Sequence, residues 1–298
     1  MRNAAIRAVE SPGRIPNGYR SAYARVNGFR MHYLRGGSGS PVVLVHGFPQ
    51  TSAEWKPQLE ALARNHTVIA VDLRGTGDSS VPERGYDTVQ LADDVHTLLA
   101  QLGLNQGVQM VAHDIGAWIA YPYAATWPTE VSRMVVMEGP IPDRSLYTFP
   151  AFSPEGELST WHLGFFQKDW AQDLVRGHER DLVEGFIEQY LAVDGAFDAA
   201  DYEFYARYLR EPGRFEAWMD MYQALHTDIA QNEKLRATGL LRMPILAVGG
   251  DEALGGAVGT QWQGYASNVE TRVMTGTGHW LTEERPRELT ALLLEFLR

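Results

Sequence analysis

Hydrophobic residues occur in short continuous runs along most of the chain, separated by stretches with helical periodicity. Six such runs cover residues 41–46, 67–72, 109–113, 133–138, 245–249 and 269–274. Runs that are apolar on both faces are typical of the buried strands of a parallel sheet. Helices are expected at residues 53–63, 88–102, 117–126 and 286–298. The pattern predicts an α/β fold, with a mostly parallel sheet and helices on both of its faces.

The first part of the pattern differs, because polar and apolar residues alternate from residue 20 to residue 34 around Asn27 and Gly28. An Asn-Gly pair is a strong hairpin signal, since both residues tolerate the positive φ of a two-residue turn. The chain is therefore expected to open with two antiparallel strands.

Residues 141–235 interrupt the alternation of strands and helices. This stretch has no clear strand, many helical patterns and 17 of the chain's 32 Phe, Trp and Tyr residues. It falls between the fourth and fifth buried runs, where an enzyme built on such a sheet carries a lid over the carboxyl ends of its strands. We predict a core formed by residues 1–140 and 236–298, and an inserted helical cap formed by residues 141–235.

Composition excludes several classes of protein. The 298 residues are 45% hydrophobic, which is enough to bury a large core, and the chain has no cysteine. Disulfide scaffolds, cysteine-zinc sites and thiol nucleophiles are therefore excluded. A net charge of −11 and the lack of a basic cluster argue against nucleic acid as a partner.

Most of that negative charge belongs to the predicted cap. Residues 141–235 contain 18 acidic and 8 basic residues, a net charge of −10. Together with the many aromatic residues, this predicts a cap with an apolar inner face and an anionic outer face. Such a cap favours small, neutral, lipophilic substrates over anionic ones.

The sequence also bears on localisation. No apolar run approaches the roughly 20 residues that a spanning helix needs. Residues 1–18 lack the apolar stretch of about 7–15 residues that a signal peptide requires. We therefore expect no membrane span and a cytoplasmic protein by default, while secretion or a periplasmic location stays open if a leader has been removed.

One candidate nucleophile lies where a predicted strand meets a predicted helix, in the sequence VAHDIGA that surrounds Asp114. A nucleophile elbow turns so tightly that only small residues fit around the central one, and Ala112, Gly116 and Ala117 meet this demand. Asp is also a common helix cap, and on this motif alone the two interpretations are balanced.

Two further motifs favour a catalytic site. The loop that begins with His46 and Gly47 follows the first buried run, where a hydrolase of this architecture supplies the backbone N–H of Phe48 to an oxyanion hole. The second N–H would come from Ile115, directly after the candidate nucleophile. His279 lies on a glycine-bearing loop before the last helix. The order of oxyanion loop, nucleophile and histidine is more specific than any one motif.

An acidic residue should orient His279. Glu138 ends the fourth buried run, while Asp251 and Glu252 follow the fifth. We prefer Glu138, because the glycine-rich stretch after Gly250 offers a poor hold on an orienting acid.

An Asp nucleophile limits the chemistry. Its attack on an sp³ carbon gives an ester, whereas its attack on an acyl carbon would give an energetic anhydride. Asp114 therefore points to epoxides or carbon–halogen bonds rather than to esters or peptides.

Several motifs resemble the epoxide hydrolases of the α/β-hydrolase fold, most closely their bacterial Cif branch. They are HGFPQ (46–50), AHDIG (112–116), MEGPIPD (137–143), FPAF (149–152), WHLGFF (161–166) and GHW (278–280). The resemblance implies an α/β-hydrolase fold, a nucleophile at Asp114, an acid at Glu138 and a base at His279. It further implies that no cofactor or metal is used and that a homodimer is possible.

The resemblance also assigns two residues of the cap to ring opening. The branch has a histidine in its WH-x-x-FF motif and a tyrosine in a Y-R/Q-A-L segment, which here are His162 and Tyr222. Without the resemblance, ordinary packing is the more common role for such residues. Gln223 stands where the family usually has arginine, and Pro49 where the branch need not have proline. Both departures bear on pocket shape rather than on reacting groups.

Three alternatives remain open. Haloalkane dehalogenases hold the halide with side-chain N–H donors at the positions of Phe48 and Ile115, and neither residue has such a donor. Haloacetate dehalogenases bind the substrate carboxylate with arginines at the positions of Ile115 and Trp118. The third alternative is an α/β-hydrolase-fold receptor whose pocket binds a ligand without turnover.

Overall fold

An eight-stranded sheet forms the centre of the structure, a computed structural model that describes residues 15–151 and 159–298. The strands are β1 (Tyr19–Val26), β2 (Phe29–Gly37), β3 (Ser40–Val45), β4 (His66–Val71), β5 (Val108–His113), β6 (Val131–Met137), β7 (Ile245–Gly250) and β8 (Val269–Met274). They lie in the order β1-β2-β4-β3-β5-β6-β7-β8. The β1–β2 and β2–β4 pairs are antiparallel and every other pair is parallel. The predicted mostly parallel sheet is confirmed.

The opening hairpin forms at the predicted turn. Val26 pairs with Phe29, so that Asn27 and Gly28 are the two turn residues. Their φ angles are 43° and 88°. Asn and Gly adopt such positive values at lower cost than other residues do, which explains why the turn forms here.

The described residues form twelve α-helices. They are α1 (Lys56–Leu62), α2 (Thr88–Gln101), α3 (Ile115–Thr126), α4 (Trp161–Phe165), α5 (Ala171–Val175), α6 (Glu179–Gln189), α7 (Ala199–Leu209), α8 (Arg214–Gln223), α9 (Leu225–Arg236), α10 (Ala257–Trp262), α11 (Leu281–Glu284) and α12 (Pro286–Phe296). In the part of the chain that the structure describes, no helix is long and apolar enough to span a membrane.

Alternate residues of the central strands face opposite layers of helices. Val42 and Leu44 of β3 pack in the cluster that contains the buried leucines of α1 and α12. Val43 and Val45 pack in the cluster that contains the buried residues of α2 and α3. Because both faces are covered, the strands are apolar throughout, and this is the reason for the continuous hydrophobic runs.

Two predicted helices begin elsewhere than expected. The prediction for 53–63 is replaced by a 3₁₀ turn at Ser52–Trp55 followed by α1. Thr51 accepts a hydrogen bond from the Ala53 N–H at the start of this turn. Pro57 in the first turn of α1 suits a helix start, because the N–H that proline lacks would have no partner there. Helix α3 begins at Ile115, two residues earlier than predicted.

The segment between β6 and β7 contains α4 to α9 and, in its described residues, no strand. Its aromatic rings pack above the loop that follows β3. Phe48 of that loop contacts Phe186 and Trp218, with ring centroids 4.9 and 5.2 Å apart. Residues 152–158 of the predicted cap, and most of the segment considered for a signal peptide, lie outside the described residues.

Candidate active site

Asp114 occupies a tight turn between β5 and α3, with φ 53° and ψ −119°. Three glycines allow this turn, because an added Cβ would be too close to neighbouring atoms. A Cβ on Gly47 would lie 2.3 Å from the Cβ of Asp114, and one on Gly116 would lie 2.3 Å from the Val45 carbonyl oxygen. A Cβ on Gly139 would lie 2.3 Å from the Asp114 carbonyl oxygen. These approaches produce the geometry of a nucleophile elbow.

The Asp114 carboxylate has its hydrogen-bond partner outside the helix that follows it. It makes no capping hydrogen bond to α3. Instead, Oδ1 accepts a hydrogen bond from the Phe48 N–H at 2.8 Å. The Ile115 N–H opens α3, where backbone donors have no partner within the helix. The structure therefore does not favour the capping interpretation, and of the two expected oxyanion donors the Phe48 N–H binds the carboxylate.

His279 lies between two carboxylates. Its Nε2 is 3.7 Å from Oδ2 of Asp114, and its Nδ1 is 3.3 Å from Oε2 of Glu138. The alternative acids lie elsewhere. Asp251 accepts a hydrogen bond from the Thr277 N–H, and Glu252 is exposed. Of the three candidate acids, the structure brings Glu138 to the histidine.

Glu138 is fully enclosed at the end of β6. Its Oε1 accepts hydrogen bonds from the N–H groups of Gly250 at 2.8 Å and Leu254 at 3.2 Å. Burial raises the pKa of Glu138 to about 8, although these N–H donors oppose the rise. We expected that the glycine-rich stretch after Gly250 would not hold an orienting acid such as Asp251 or Glu252 in place. In the structure, this stretch instead supplies backbone N–H donors to Glu138.

His279 is uncharged near neutral pH. Burial, and secondarily the charge of nearby His113, lower the pKa of His279 to about 3. His113 donates from Nε2 to the His279 carbonyl at 2.9 Å, and its Nδ1 lies 3.0 Å from Glu54. Burial alone would lower the pKa of His113, but the Glu54 carboxylate raises it to about 9. A buried Glu54–His113 ion pair therefore supports the loop that carries His279.

The two cap residues lie close together. His162 is in α4 and Tyr222 is in α8, with ring centroids 5.8 Å apart. Burial, and secondarily the nearby His279, lower the pKa of His162 to about 3. Burial and the Asp114 charge raise the pKa of Tyr222 well above its ordinary value. Both side chains are therefore uncharged at neutral pH.

One cavity brings most of these groups together. Its polar lining includes Asp114, Glu138, His162, Tyr190 and His279. Its apolar lining is Trp118, Pro140, Leu146, Phe149, Leu163, Phe186 and Leu254. Tyr222 does not line this cavity. It is 1% exposed and packs against the lining rings of Trp118 and His162.

Residues 40–286 match the family model of the alpha/beta hydrolase fold. This chain belongs to the α/β-hydrolase family. It is 33% identical to the soluble epoxide hydrolase of Corynebacterium sp. strain C12, over 92% of this chain and 95% of that protein. The predicted hydrolase class and the resemblance to epoxide hydrolases are confirmed.

Two solved structures are similar to this α/β-hydrolase. One is wild-type Cfl2 from Burkholderia cenocepacia, with a TM-score of 0.90, 33% identity and coverage of 94% of this chain and 96% of that one. The other is the Cif epoxide hydrolase from Acinetobacter nosocomialis, with a TM-score of 0.90, 25% identity and coverage of 97% and 92%. These similarities confirm the resemblance to the Cif branch.

Among the described residues of this α/β-hydrolase, one group has the spacing of metal ligands: His32, Asp72 and Asp78. The Asp72 carboxylate already has hydrogen-bond partners within the protein. It accepts hydrogen bonds from the N–H groups of Ser52 and Asp78, and it pairs with Nδ1 of His32 at 2.7 Å. This network fixes the loop after β4 and gives no independent reason to place an ion there.

Sequence reasoning missed three residues around the site. Tyr190 lines the cavity, and the Glu54–His113 pair lies behind His279. Tyr190 ends an amphipathic helix and has no motif of its own, so only the folded arrangement reveals it. His113 ends β5 and directly precedes Asp114, so a histidine next to the candidate nucleophile was the available signal.

Proposed function

We propose that this chain hydrolyses epoxides to vicinal diols through a covalent ester on Asp114. The observation that carries the proposal is the position of the Asp114 carboxylate. One oxygen accepts a backbone hydrogen bond, the other faces His279, and both adjoin a mostly apolar cavity. A carboxylate held this way suits attack on a neutral substrate carbon.

In the first step, an Asp114 oxygen attacks an epoxide carbon while the carbon–oxygen bond of the ring breaks. The electron pair of that bond goes to the epoxide oxygen, which becomes an alkoxide. His162, on the cavity wall, acts as a donor to this oxygen, and Tyr222, which packs directly behind the wall against His162, is the second donor of the cap. Because both are uncharged at neutral pH, they offer an N–H and an O–H, and a donor that gives up its proton regains one from water.

In the second step, His279 removes a proton from water, and the hydroxide attacks the ester carbonyl carbon of Asp114. The N–H groups of Phe48 and Ile115 stabilise the resulting oxyanion. Glu138 orients His279 and stabilises its charged form. Collapse of the intermediate breaks the ester carbon–oxygen bond, and His279 returns its proton to the departing alkoxide, which leaves as the diol. The carboxylic acid so formed releases its proton to solvent, which offsets the proton that the cap donor took from water, and the Asp114 carboxylate is restored.

We further propose that residues 1–140 and 236–298 form the catalytic core and residues 141–235 the cap. The helices from α4 to α9 support this division, since they follow β6 and precede β7. The apolar cavity lining and the cap's net charge of −10 support small, neutral, lipophilic epoxides as the substrate class.

The test uses a His279→Gln variant, in which the ester should form but persist. The variant is incubated with styrene-type and aliphatic terminal epoxides, and the intact protein is weighed. We expect an added mass equal to that of the epoxide, mapped to the peptide that contains Asp114. The double variant with Asp114→Ser should show no adduct.

The alternatives give different results. Consumption of a haloalkanoate, without labelling or hydrolysis by any epoxide, would replace the proposal with dehalogenation. A melting temperature raised by epoxides or diols without any product would favour a receptor.

A further inference from the structure

Gln167 joins the segment that follows α4 to the end of α8. Its side-chain amide nitrogen donates a hydrogen bond to the backbone carbonyl of Tyr222 at 2.5 Å. A carbonyl oxygen can only accept, so the amide N–H of Gln167 must face it. Helix α8 ends at Gln223, and a carbonyl in the last turn of a helix is open to a side-chain donor. The main chain of Tyr222 is thus bound directly to the segment after α4.

A second glutamine crosses the same contact in the opposite direction. The amide nitrogen of Gln223 lies 3.3 Å from Oδ1 of Asp169 and 3.5 Å from the carbonyl oxygen of Phe166. These bonds are longer than the bond of Gln167, so we expect them to contribute less. Together, the two glutamines connect the end of α8 to the segment after α4 from both sides.

Phe166 lies between the two proposed donors of the cap. Its ring centroid is 4.9 Å from that of Tyr222, and its N–H donates to the His162 carbonyl at 2.9 Å. Phe166 is fully buried and directly precedes Gln167. The turn that ends α4 therefore contacts the ring of Tyr222 through Phe166 and its main chain through Gln167.

The location of Tyr222 makes this contact relevant to ring opening. Its ring does not line the cavity but packs behind His162 and Trp118. A displacement of α8 would therefore change the distance from the Tyr222 hydroxyl to an epoxide oxygen in the cavity. We propose that Gln167 is a positioning residue for ring opening, which holds Tyr222 against His162 by binding its main-chain carbonyl. This inference rests on the proposed function, which assigns Tyr222 the role of a donor to an epoxide.

The test separates ring opening from ester hydrolysis. Gln167→Met keeps the length of the side chain but removes its N–H donor. In the His279→Gln background, formation of the styrene oxide ester should slow about tenfold, because a displacement of about 1 Å in a reacting group can cost about 100-fold. Rapid quench and intact mass measure this rate. With His279 intact, the ester once formed should be hydrolysed at an unchanged rate.

Gln172→Met is the matched control. Gln172 lies in α5 and, like Gln167, is half-buried in the segment between β6 and β7. This variant should form the ester at the rate of the natural sequence. A loss equal to that of Gln167→Met would show a general effect of replacing glutamine in this segment and would overturn the inference.

A double variant distinguishes positioning from packing. In a Tyr222→Phe background, Gln167→Met should cause no further loss of ring-opening rate, because Gln167 acts through the hydroxyl of Tyr222. An equal loss in both backgrounds would contradict the inference. Urea unfolding supplies a second readout. If Gln167→Met lowers the free energy of unfolding while the folded variant opens styrene oxide at the full rate, Gln167 has a structural role only.

Failure of this inference is distinguishable from failure of the proposed function. If no epoxide is hydrolysed by the natural sequence and none labels His279→Gln, the proposed function falls. If epoxides are hydrolysed and Gln167→Met opens them at the full rate, only the role of Gln167 falls.

Discussion

Gly47 lies directly against the side chain of Asp114, where any other residue would collide with it. An added Cβ would be 2.3 Å from both the Cβ and Oδ1 of Asp114. The main chain of Gly47 therefore sets the position of the carboxylate. A displacement of about 1 Å in a reacting group is enough to cost about 100-fold in rate.

We accordingly expect Gly47→Ala to lower the rate of epoxide hydrolysis at least about 100-fold. Gly185→Ala is the control, since Gly185 lies within α6 and an added Cβ would meet nothing within 4 Å. That change should preserve activity and stabilise the protein by about 0.5–1 kcal/mol. Steady-state kinetics and urea unfolding check both expectations, and full activity of Gly47→Ala would contradict the first.

Under the proposed mechanism, the titration of Glu138 should set the pH dependence of ester hydrolysis. Glu138 orients His279 most effectively when ionised, and burial raises its pKa to about 8. His279 itself is already uncharged, because its pKa is lowered to about 3. In single-turnover measurements, the rate of ester hydrolysis should rise about tenfold from pH 7 to a plateau above about pH 9. Glu138→Gln should abolish the rise, and a midpoint near the ordinary histidine value of about 6.5 would refute this assignment.

At the scale of elements, helix α7 has a capping box. The Asp198 side chain accepts hydrogen bonds from the N–H groups of Ala200 and Asp201, and the Asp201 side chain accepts one from the N–H of Asp198. This capping box fixes the start of a helix whose inner side buries several aromatic rings. Loss of the capping box should therefore destabilise the packing of α7 and its neighbouring helices.

We expect Asp198→Ala to lower the free energy of unfolding by about 1 kcal/mol, measured by urea denaturation. Asp198→Asn should lose much less, because asparagine caps helices about as well as aspartate. If the alanine and asparagine variants unfold alike, the charge rather than the cap is the stabilising feature.

The elements differ in how well the sequence predicts them. Strands β3 to β8 follow their predicted runs within two residues. Burial on both faces explains the local signal in β3 to β7, whereas β8 lies at the edge of the sheet and buries only Met274. The start of α3 was predicted two residues too late, because the turn at Asp114, rather than helical periodicity, decides where this helix begins. Asp114, Glu138 and His279 were located by motif and strand end, and the structure brings them together. Tyr190 and the Glu54–His113 pair depend on contacts between distant segments, which no local pattern records.

At the scale of the whole molecule, several buried groups bind protons more tightly in the folded state. Burial raises the pKa of Glu138 to about 8, and burial with the nearby Glu54 charge raises that of Glu283 to about 8. The Glu54 carboxylate raises the pKa of His113 to about 9. Above about pH 6.5, the unfolded chain has lost these protons while the folded protein keeps them.

The free energy of unfolding should therefore fall as the pH rises from about 6.5 to 9. The groups with lowered pKa values, His162 and His279, act in the opposite sense only below about pH 6.5, where the unfolded histidines become charged. Urea denaturation at several pH values measures the slope. Glu283→Gln should make the slope shallower, because glutamine does not titrate. A free energy of unfolding that stays constant over this pH range would contradict the raised pKa values of His113, Glu138 and Glu283.

Trp118 lines the cavity that holds Asp114, and its indole is almost fully shielded by the protein. An epoxide carbon bonded to Asp114 would replace the solvent beside this ring. Formation and decay of the ester would then alter the intrinsic fluorescence of the enzyme. If the chain forms the proposed ester, Trp118 should therefore report both steps of turnover in a stopped-flow instrument without a chromogenic substrate.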